Sequence, residues 1–226
     1  MSNQTQAASQ IKAKILIVDD HPIVRQGLAQ VINLQPDMQL CCEAGNAEEA
    51  LAAMGTCHHD LVIVDISLEG VSGLSLITAL TAQYPQHPIL VMSMHEESLY
   101  AERSLRLGAK GYIMKQQATV NIQSAIRRIL DGGLYVSDEM HALILDRLHA
   151  NSFASGATDP VACLTDREFE VLRLIGFGLG TRKIAEKFNR SIKTIEAHRA
   201  NIKEKLGLKT ALELVRFATF WVGTKS

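Results

Sequence analysis

Two adjacent acids, Asp19 and Asp20, close the apolar run Ile15-Leu16-Ile17-Val18, and a third, Asp65, closes Leu61-Val62-Ile63-Val64. Ser93 ends another apolar run, and Lys115 lies just beyond a further one. Carboxylates converging at one rim repel one another, and a hard divalent cation with a preference for oxygen relieves that repulsion. Mg2+ suits, because it accepts a few carboxylates and keeps several waters. With the cation and Lys115 to neutralise developing charge, a carboxylate is a competent nucleophile toward phosphorus. A lone Asp after a strand is ordinarily a cap or turn residue, so it is the acid pair with Asp65, Ser93 and Lys115 that gives the set its meaning.

These residues need a scaffold that brings strand ends together. Lys14–Asp19, Met38–Ala44, Leu61–Asp65, Pro88–Ser93 and Gly111–Met114 read as strands, and their continuous apolar runs suit strands covered by helices on both faces. Helical periodicity falls between them, near Pro22–Leu34, Ala47–Met54, Ser72–Tyr84, Glu97–Leu107 and Val120–Asp131, with Pro22 where an N1 proline belongs. The expectation is an α/β, doubly wound, five-stranded parallel domain of flavodoxin-like type. In such sheets ligands bind beyond the carboxyl ends of the strands, where the acids, Ser93 and Lys115 lie. Gly70–Gly73 reads as a loop needing unusual backbone angles.

The rest of the chain is different. Of its 226 residues, those up to Cys163 carry 10 Lys+Arg against 17 Asp+Glu, and those after it 13 against 7, so the net charge of -1 conceals an acidic first part and a basic second. A helix near Asp138–His149 and a Ser-, Ala-, Gly- and Asp-rich stretch, Asn151–Pro160, separate the two. Four helices follow, near Thr165–Gly176, Thr181–Phe188, Ser191–Leu206 and Thr210–Trp221, the first opened by the capping-box sequence Thr165-Asp166-Arg167-Glu168. The expected organisation is a disordered tail over 1–13, the sheet domain over 14–133, a linker helix and flexible linker over 134–163, and a small all-α domain over 164–226. Ile184, Ala185 and Phe188 give one short helix an apolar face, Asn189-Arg190-Ser191 make a turn, and Ile195, Ile202 and Leu206 line the next helix. That next helix presents Lys193, Thr194, Glu196, Ala197, Arg199, Ala200 and Lys203 on its other face. Lys193, Thr194, Arg199 and Lys203, with Arg182 and Lys183, suit phosphates, whereas Glu196, Ala197 and Ala200 can approach base edges.

The acidic set resembles the receiver domains of response regulators over about Ile15 to Asp131. The resemblance implies that Asp65 is the phosphoacceptor and Asp20 a direct Mg2+ ligand, with Asp19 its partner and the Ser67 carbonyl a further ligand. Lys115 then pairs with the phosphoryl group, Ser93 is the switch hydroxyl and Tyr112 the aromatic residue that turns inward with it. Ser67 and His95 stand where such domains tune phosphoryl lifetime, and Glu69 and Gln116 stand where many of them have proline. The segments Leu164–Leu172, Lys183–Phe188 and Lys193–Ile202 closely resemble the LuxR-type helix-turn-helix, and the whole chain is similar to the NarL/FixJ family of response regulators. That likeness implies a transcription regulator phosphorylated by a sensor histidine kinase. It implies binding to double-stranded DNA as a homodimer, and RNA polymerase as a further candidate partner. It also implies that the chain is no enzyme beyond assisting its own phosphoryl transfer and loss.

Two other readings fit less well. A phosphatase with an aspartyl nucleophile wants a second Asp two residues on, where this chain has Ser67. A small-molecule-sensing LuxR-type regulator has no use for rim carboxylates and Lys115. The four cysteines, Cys41, Cys42, Cys57 and Cys163, form no CxxC pair and no Cys/His array with zinc-ligand spacing, and read as reduced thiols. No secretory signal or run of about 20 apolar residues is present, so a cytoplasmic protein with no membrane contact is expected.

Overall fold

The computed structural model describes residues 12–68, 71–95, 97–142, 144 and 160–224. Five strands alternate with five helices: β1 (Ala13–Val18), α1 (Pro22–Asn33), β2 (Met38–Ala44), α2 (Ala47–Thr56), β3 (Leu61–Asp65), α3 (Gly73–Gln83), β4 (Ile89–Ser93), α4 (Glu97–Arg106), β5 (Gly111–Met114) and α5 (Lys115–Leu130). All pairings are parallel, in the order β2-β1-β3-β4-β5. Successive strand residues point to opposite faces. Ile15, Ile17, Leu61, Ile63, Leu90 and Met92 accordingly pack against α1 and α5 residues such as Ile32, Ile122 and Ile126. Leu16, Val18, Val62, Val64 and Val91 pack on the other face, with Ala50, Leu74, Ile77 and Tyr100. The strand order reverses between β1 and β3, so a crevice opens at their carboxyl ends, where Asp19, Asp20 and Asp65 sit.

Three expectations are corrected. Ala13, assigned to a disordered tail, pairs with Met38 in the sheet; residues 1–11 lie outside the described part. Helix α5 begins five residues before the expected Val120. Its apolar face already includes Ala118, one turn before Ile122, whereas Val120 is 78% exposed and takes no part in it. Gly73 is required by crowding and not by a left-handed backbone, because a Cβ there would lie 2.2 Å from the Asp65 carbonyl oxygen. Glu69 and Gly70 are outside the described residues.

Past α5 the backbone does not leave the sheet domain at once. Tyr112 N–H donates to the Tyr135 carbonyl at 2.8 Å and Tyr135 N–H to the Lys110 carbonyl at 3.0 Å, so this segment runs beside β5. A further helix, α6 (138–142), buries Met140. Of the rest of the expected linker helix residue 144 is described; residue 143 and residues 145–159, the linker included, fall outside the described residues. A 3-10 turn at Pro160–Cys163 leads into α7 (Asp166–Gly176), α8 (Thr181–Lys187), α9 (Ile192–Lys205) and α10 (Ala211–Gly223). Caps explain the starts of α7, α9 and α10: Thr165 and Glu168 form a reciprocal capping box, and Ser191 and Thr210 accept backbone N–H donors.

The two parts pack on each other. Phe169 of α7 meets Tyr100 of α4 edge-on at 5.4 Å and Trp221 of α10 at the same distance. The Arg103 guanidinium donates to Asp166 at 2.9 Å and to the Leu164 carbonyl at 2.5 Å. Among the described residues no helix is long and apolar enough to cross a membrane.

Candidate functional site

At the carboxyl end of the sheet the Lys115 ammonium lies 2.6 Å from Asp19 and 2.7 Å from Asp65. It gets there because it is the first residue of α5, directly after β5. Asp19 and Asp65 are fully buried. Burial raises the Asp65 carboxyl above its ordinary pKa, opposed by the attraction of Lys115. Burial also works against the Lys115 charge, but the attraction of Asp65 and Asp19 exceeds it and the net shift is upward. The Ser67 N–H donates to Asp65 at 3.1 Å, as a turn beneath the acid.

Asp20 is on the same rim. Donor atoms of Asp19, Asp20, Asp65 and His21 lie within 4.8 Å of one another. Three carboxylates at this spacing are an oxygen-rich set of the kind a hard divalent cation takes, so the residues fit the expected metal. His21 also belongs to the cluster: its Nδ1 is 2.6 Å from Asp20 and its backbone N–H donates to Asp19 at 2.8 Å.

The expected switch residues also converge. Ser93 is buried at the end of β4, and its hydroxyl accepts from the His95 N–H at 3.0 Å. Tyr112 is turned inward and donates to the His95 carbonyl at 2.9 Å. The His95 ring stacks on Tyr100, with centroids 5.2 Å apart, and its Nε2 lies 3.2 Å from the Ser67 hydroxyl. Across the ring lies Arg173 of α7, with guanidinium nitrogens 3.1 and 3.2 Å from the two ring nitrogens. Burial, then Arg173, Lys187 and Lys115, hold His95 neutral, its pKa lowered to about 4.

The helical domain therefore sits over the mouth of the acidic pocket. A cavity of about 160 Å³ between the two is lined by Asp20, Ser67 and His95 on one side and by Arg167, Glu170 and Arg173 on the other. Sequence reasoning missed Glu170, Arg173, Arg103 and Asp166 in this role. The available signal was that α7 carries Glu170 and Arg173 amid a run of core residues, and both prove buried.

In the second part, α8 and α9 form the expected pair of helices. Ile184, Ala185, Ile195 and Ile202 are buried between them and the neighbouring helices. Arg182, Lys183, Lys193, Glu196, Ala197 and Ala200 are exposed, and Thr194, Arg199 and Lys203 partly so. The residues brought to the sheet domain come from the 3-10 turn and its exit, α7, the end of α8 and Trp221 of α10, and the face of α9 that carries Lys193, Glu196, Ala197 and Ala200 stays exposed.

Residues 15–127 match the family model for the response regulator receiver domain, and residues 162–218 that for bacterial regulatory proteins of the luxR family. The chain is 36% identical over 208 residues to the oxygen regulatory protein NreC of Staphylococcus carnosus, covering 91% of this chain and 96% of that one. A two-component response regulator of the LuxR family from Aurantimonas sp. SI85-9A1 superposes with a TM-score of 0.56 at 30% identity, over 61% of this chain and 99% of the other. RcsB from Salmonella enterica serovar Typhimurium, solved bound to a promoter with a phosphomimetic, gives a TM-score of 0.61 at 24% identity, over 92% and 98% of the two chains. At that identity the RcsB likeness is one of fold.

Proposed function

Because the chain belongs to the response regulators that join a receiver domain to a LuxR-family DNA-binding domain, we propose that Asp65 is the residue through which this two-component transcription regulator receives its phosphoryl signal. The observation that carries the reading is Lys115 lying between Asp19 and Asp65 at the buried end of the sheet. Bound Mg2+ would be held by Asp19, Asp20, Asp65 and the Ser67 carbonyl, and would neutralise charge on the transferring group. Asp65 supplies the carboxylate oxygen that bonds to phosphorus while the bond from phosphorus to the donor breaks, the leaving group being the kinase histidine or, from acetyl phosphate, acetate. Lys115 offers a cation to the incoming phosphoryl, and Ser93 and the backbone at Ser67 offer hydrogen bonds to its oxygens. The chain's own chemistry ends there, which suits a regulator and not a turnover enzyme.

Docking of α7 over this pocket gives the signal a route. A phosphoryl donor, whether a sensor histidine kinase or a small phosphodonor, needs access to Asp65, and Arg173, Glu170 and Arg167 stand at the entrance. Phosphorylation and release of the DNA-binding domain are then coupled, because each favours the open form. Since the docked receiver leaves α9 exposed, control acts through the arrangement of two chains on DNA and not through burial of the recognition helix. Helix α10 supports a homodimer: Leu212, Val215 and Phe220 are apolar and 61%, 38% and 72% exposed. On DNA, Arg182, Lys183, Lys193, Thr194, Arg199 and Lys203 meet phosphates, while Glu196, Ala197 and Ala200 face the bases. RNA polymerase remains a candidate partner from family likeness alone.

The test is labelling by acetyl phosphate in Mg2+. Asp65→Asn is expected to abolish it, and Asp20→Ala to lower it greatly by weakening metal binding. Undiminished labelling of the Asp65 variant overturns the assignment.

A further inference from the structure

The cysteines, scattered in sequence, are gathered in space. Strand β2 carries a bulge: Ile15 pairs with Leu40 and the next residue, Leu16, with Cys42, leaving Cys41 as the extra residue. A bulge disturbs the strict alternation of side chains, so neighbours on one strand can reach the same side. Cys41 Sγ lies 3.2 Å from Nδ1 of His59, and Cys42 Sγ 2.8 Å from Sγ of Cys57. The donor atoms of Cys41, Cys42 and His59 all fall within 4.8 Å of one another.

His59 is held as a ligand would be. Its other ring nitrogen, Nε2, is 3.0 Å from the Ala53 carbonyl at the end of α2, and the residue is 2% exposed. A carbonyl can only accept, so Nε2 carries the proton and Nδ1 presents its lone pair toward the sulfurs, the arrangement that orients metal-binding imidazoles. A tetrahedral ion of the zinc class keeps sulfur and nitrogen ligands roughly 3.5–3.8 Å apart. Cys57 is exposed at the end of α2, beside Cys42, so its side chain is free to complete the fourth position.

We propose that Cys41, Cys42 and His59, closed by Cys57, form a binding site for a soft divalent cation of the zinc class. The site ties the edge strand β2 to the end of α2 and to the segment entering β3. It lies toward the amino ends of the strands, away from the acidic rim, and draws on none of the residues assigned to phosphoryl chemistry. Binding displaces the thiol protons to solvent.

Co2+ is the probe, added to reduced, chelator-treated full-length protein. One equivalent is expected to give the visible bands of tetrahedral thiolate coordination, and Zn2+ to bleach them. Cys42→Ser and His59→Ala are expected to abolish the bands, Cys57→Ser to weaken them, and Cys163→Ser and Asp20→Ala to leave them intact. Acetyl phosphate labelling reports that each variant except Asp20→Ala has folded. Without any substitution, Zn2+ is expected to slow alkylation of Cys41 and Cys42 by more than about tenfold while sparing Cys163. Absence of thiolate bands at stoichiometric Co2+ overturns the proposal. So does a Cys42–Cys57 cross-link formed by mild oxidation in protein that takes up no metal, which makes the cluster a redox pair.

Discussion

The Ser72 hydroxyl donates a 2.6 Å hydrogen bond to the Glu170 carboxylate, joining the receiver to the DNA-binding domain across 98 residues of chain. Both side chains are buried, and each serves its own domain as well. Ser72 caps α3 by accepting from Leu74 N–H, and Glu170 pairs with Arg167 at 2.9 Å. The contact lies one residue from Gly73, whose backbone rests on Asp65, so the join and the acidic pocket share a wall.

If α7 guards the pocket, loosening it exposes Asp65. Arg173→Ala removes the guanidinium that covers His95 and the contact with Tyr100. Labelling by acetyl phosphate is expected to speed up several-fold, in line with an interdomain coupling of about 1–3 kcal/mol. Rates equal to those of the parent chain sink the idea that the docked domain restricts access.

Gly73 is expected to tolerate no side chain. A Cβ would meet the Asp65 carbonyl at 2.2 Å and the Ile66 Cα at 2.5 Å, both backbone atoms that cannot swing aside. Gly73→Ala should cost about 1–3 kcal/mol as overpacking and lower Asp65 labelling by shifting the loop. Thermal unfolding and labelling of the same sample check both; a variant that matches the parent in each contradicts the crowding argument.

Glu168 gives the helical domain a pH dependence. Burial raises its pKa, but the hydrogen bond from Lys205 at 2.7 Å, with those of Thr165, outweighs this and holds the carboxyl below its ordinary pKa. A carboxyl lowered in the folded state stabilises above its unfolded pKa and loses that contribution as pH falls through the folded value. Glu168→Gln is therefore expected to destabilise by about 1 kcal/mol at neutral pH, with the gap closing below pH 4.5. Denaturant unfolding at the two pH values measures it, and a gap that does not change with pH removes the charge from the explanation.

On α9, Lys193, Arg199 and Lys203 differ in purpose from Glu196. Replacing any of the three by Ala should weaken binding to all sequences and reduce the salt slope by about 1. An acid facing the groove is repelled by phosphates and is useful if it accepts a hydrogen bond, as from a cytosine amino group. Glu196→Ala should leave non-specific binding equal or stronger while costing about 1–3 kcal/mol of discrimination at one base pair per half-site. Selection from random DNA decides this: unchanged preferred sequences mean that Glu196 only tempers the charge of the helix.

Local order made much of this legible in the amino-acid sequence. Apolar runs ending in Asp19, Asp65 and Ser93 place the acids at strand ends, because a parallel strand covered on both faces can be polar only where it emerges. The caps at Thr165, Ser191 and Thr210 and the apolar positions Ile184, Ala185, Ile195 and Ile202 likewise mark the helical domain, since both signals act within a turn or two of helix. Tertiary structure alone decided which surface of that domain meets the receiver. Glu170 and Arg173 read as ordinary polar positions of an amphipathic helix until Ser72 and His95, 98 and 78 residues away, are brought to them. The cysteine cluster is hidden for a related reason: spacing along the chain places Cys41 and Cys42 on opposite faces of a strand. One bulged residue, whose presence depends on pairing with β1, undoes that alternation.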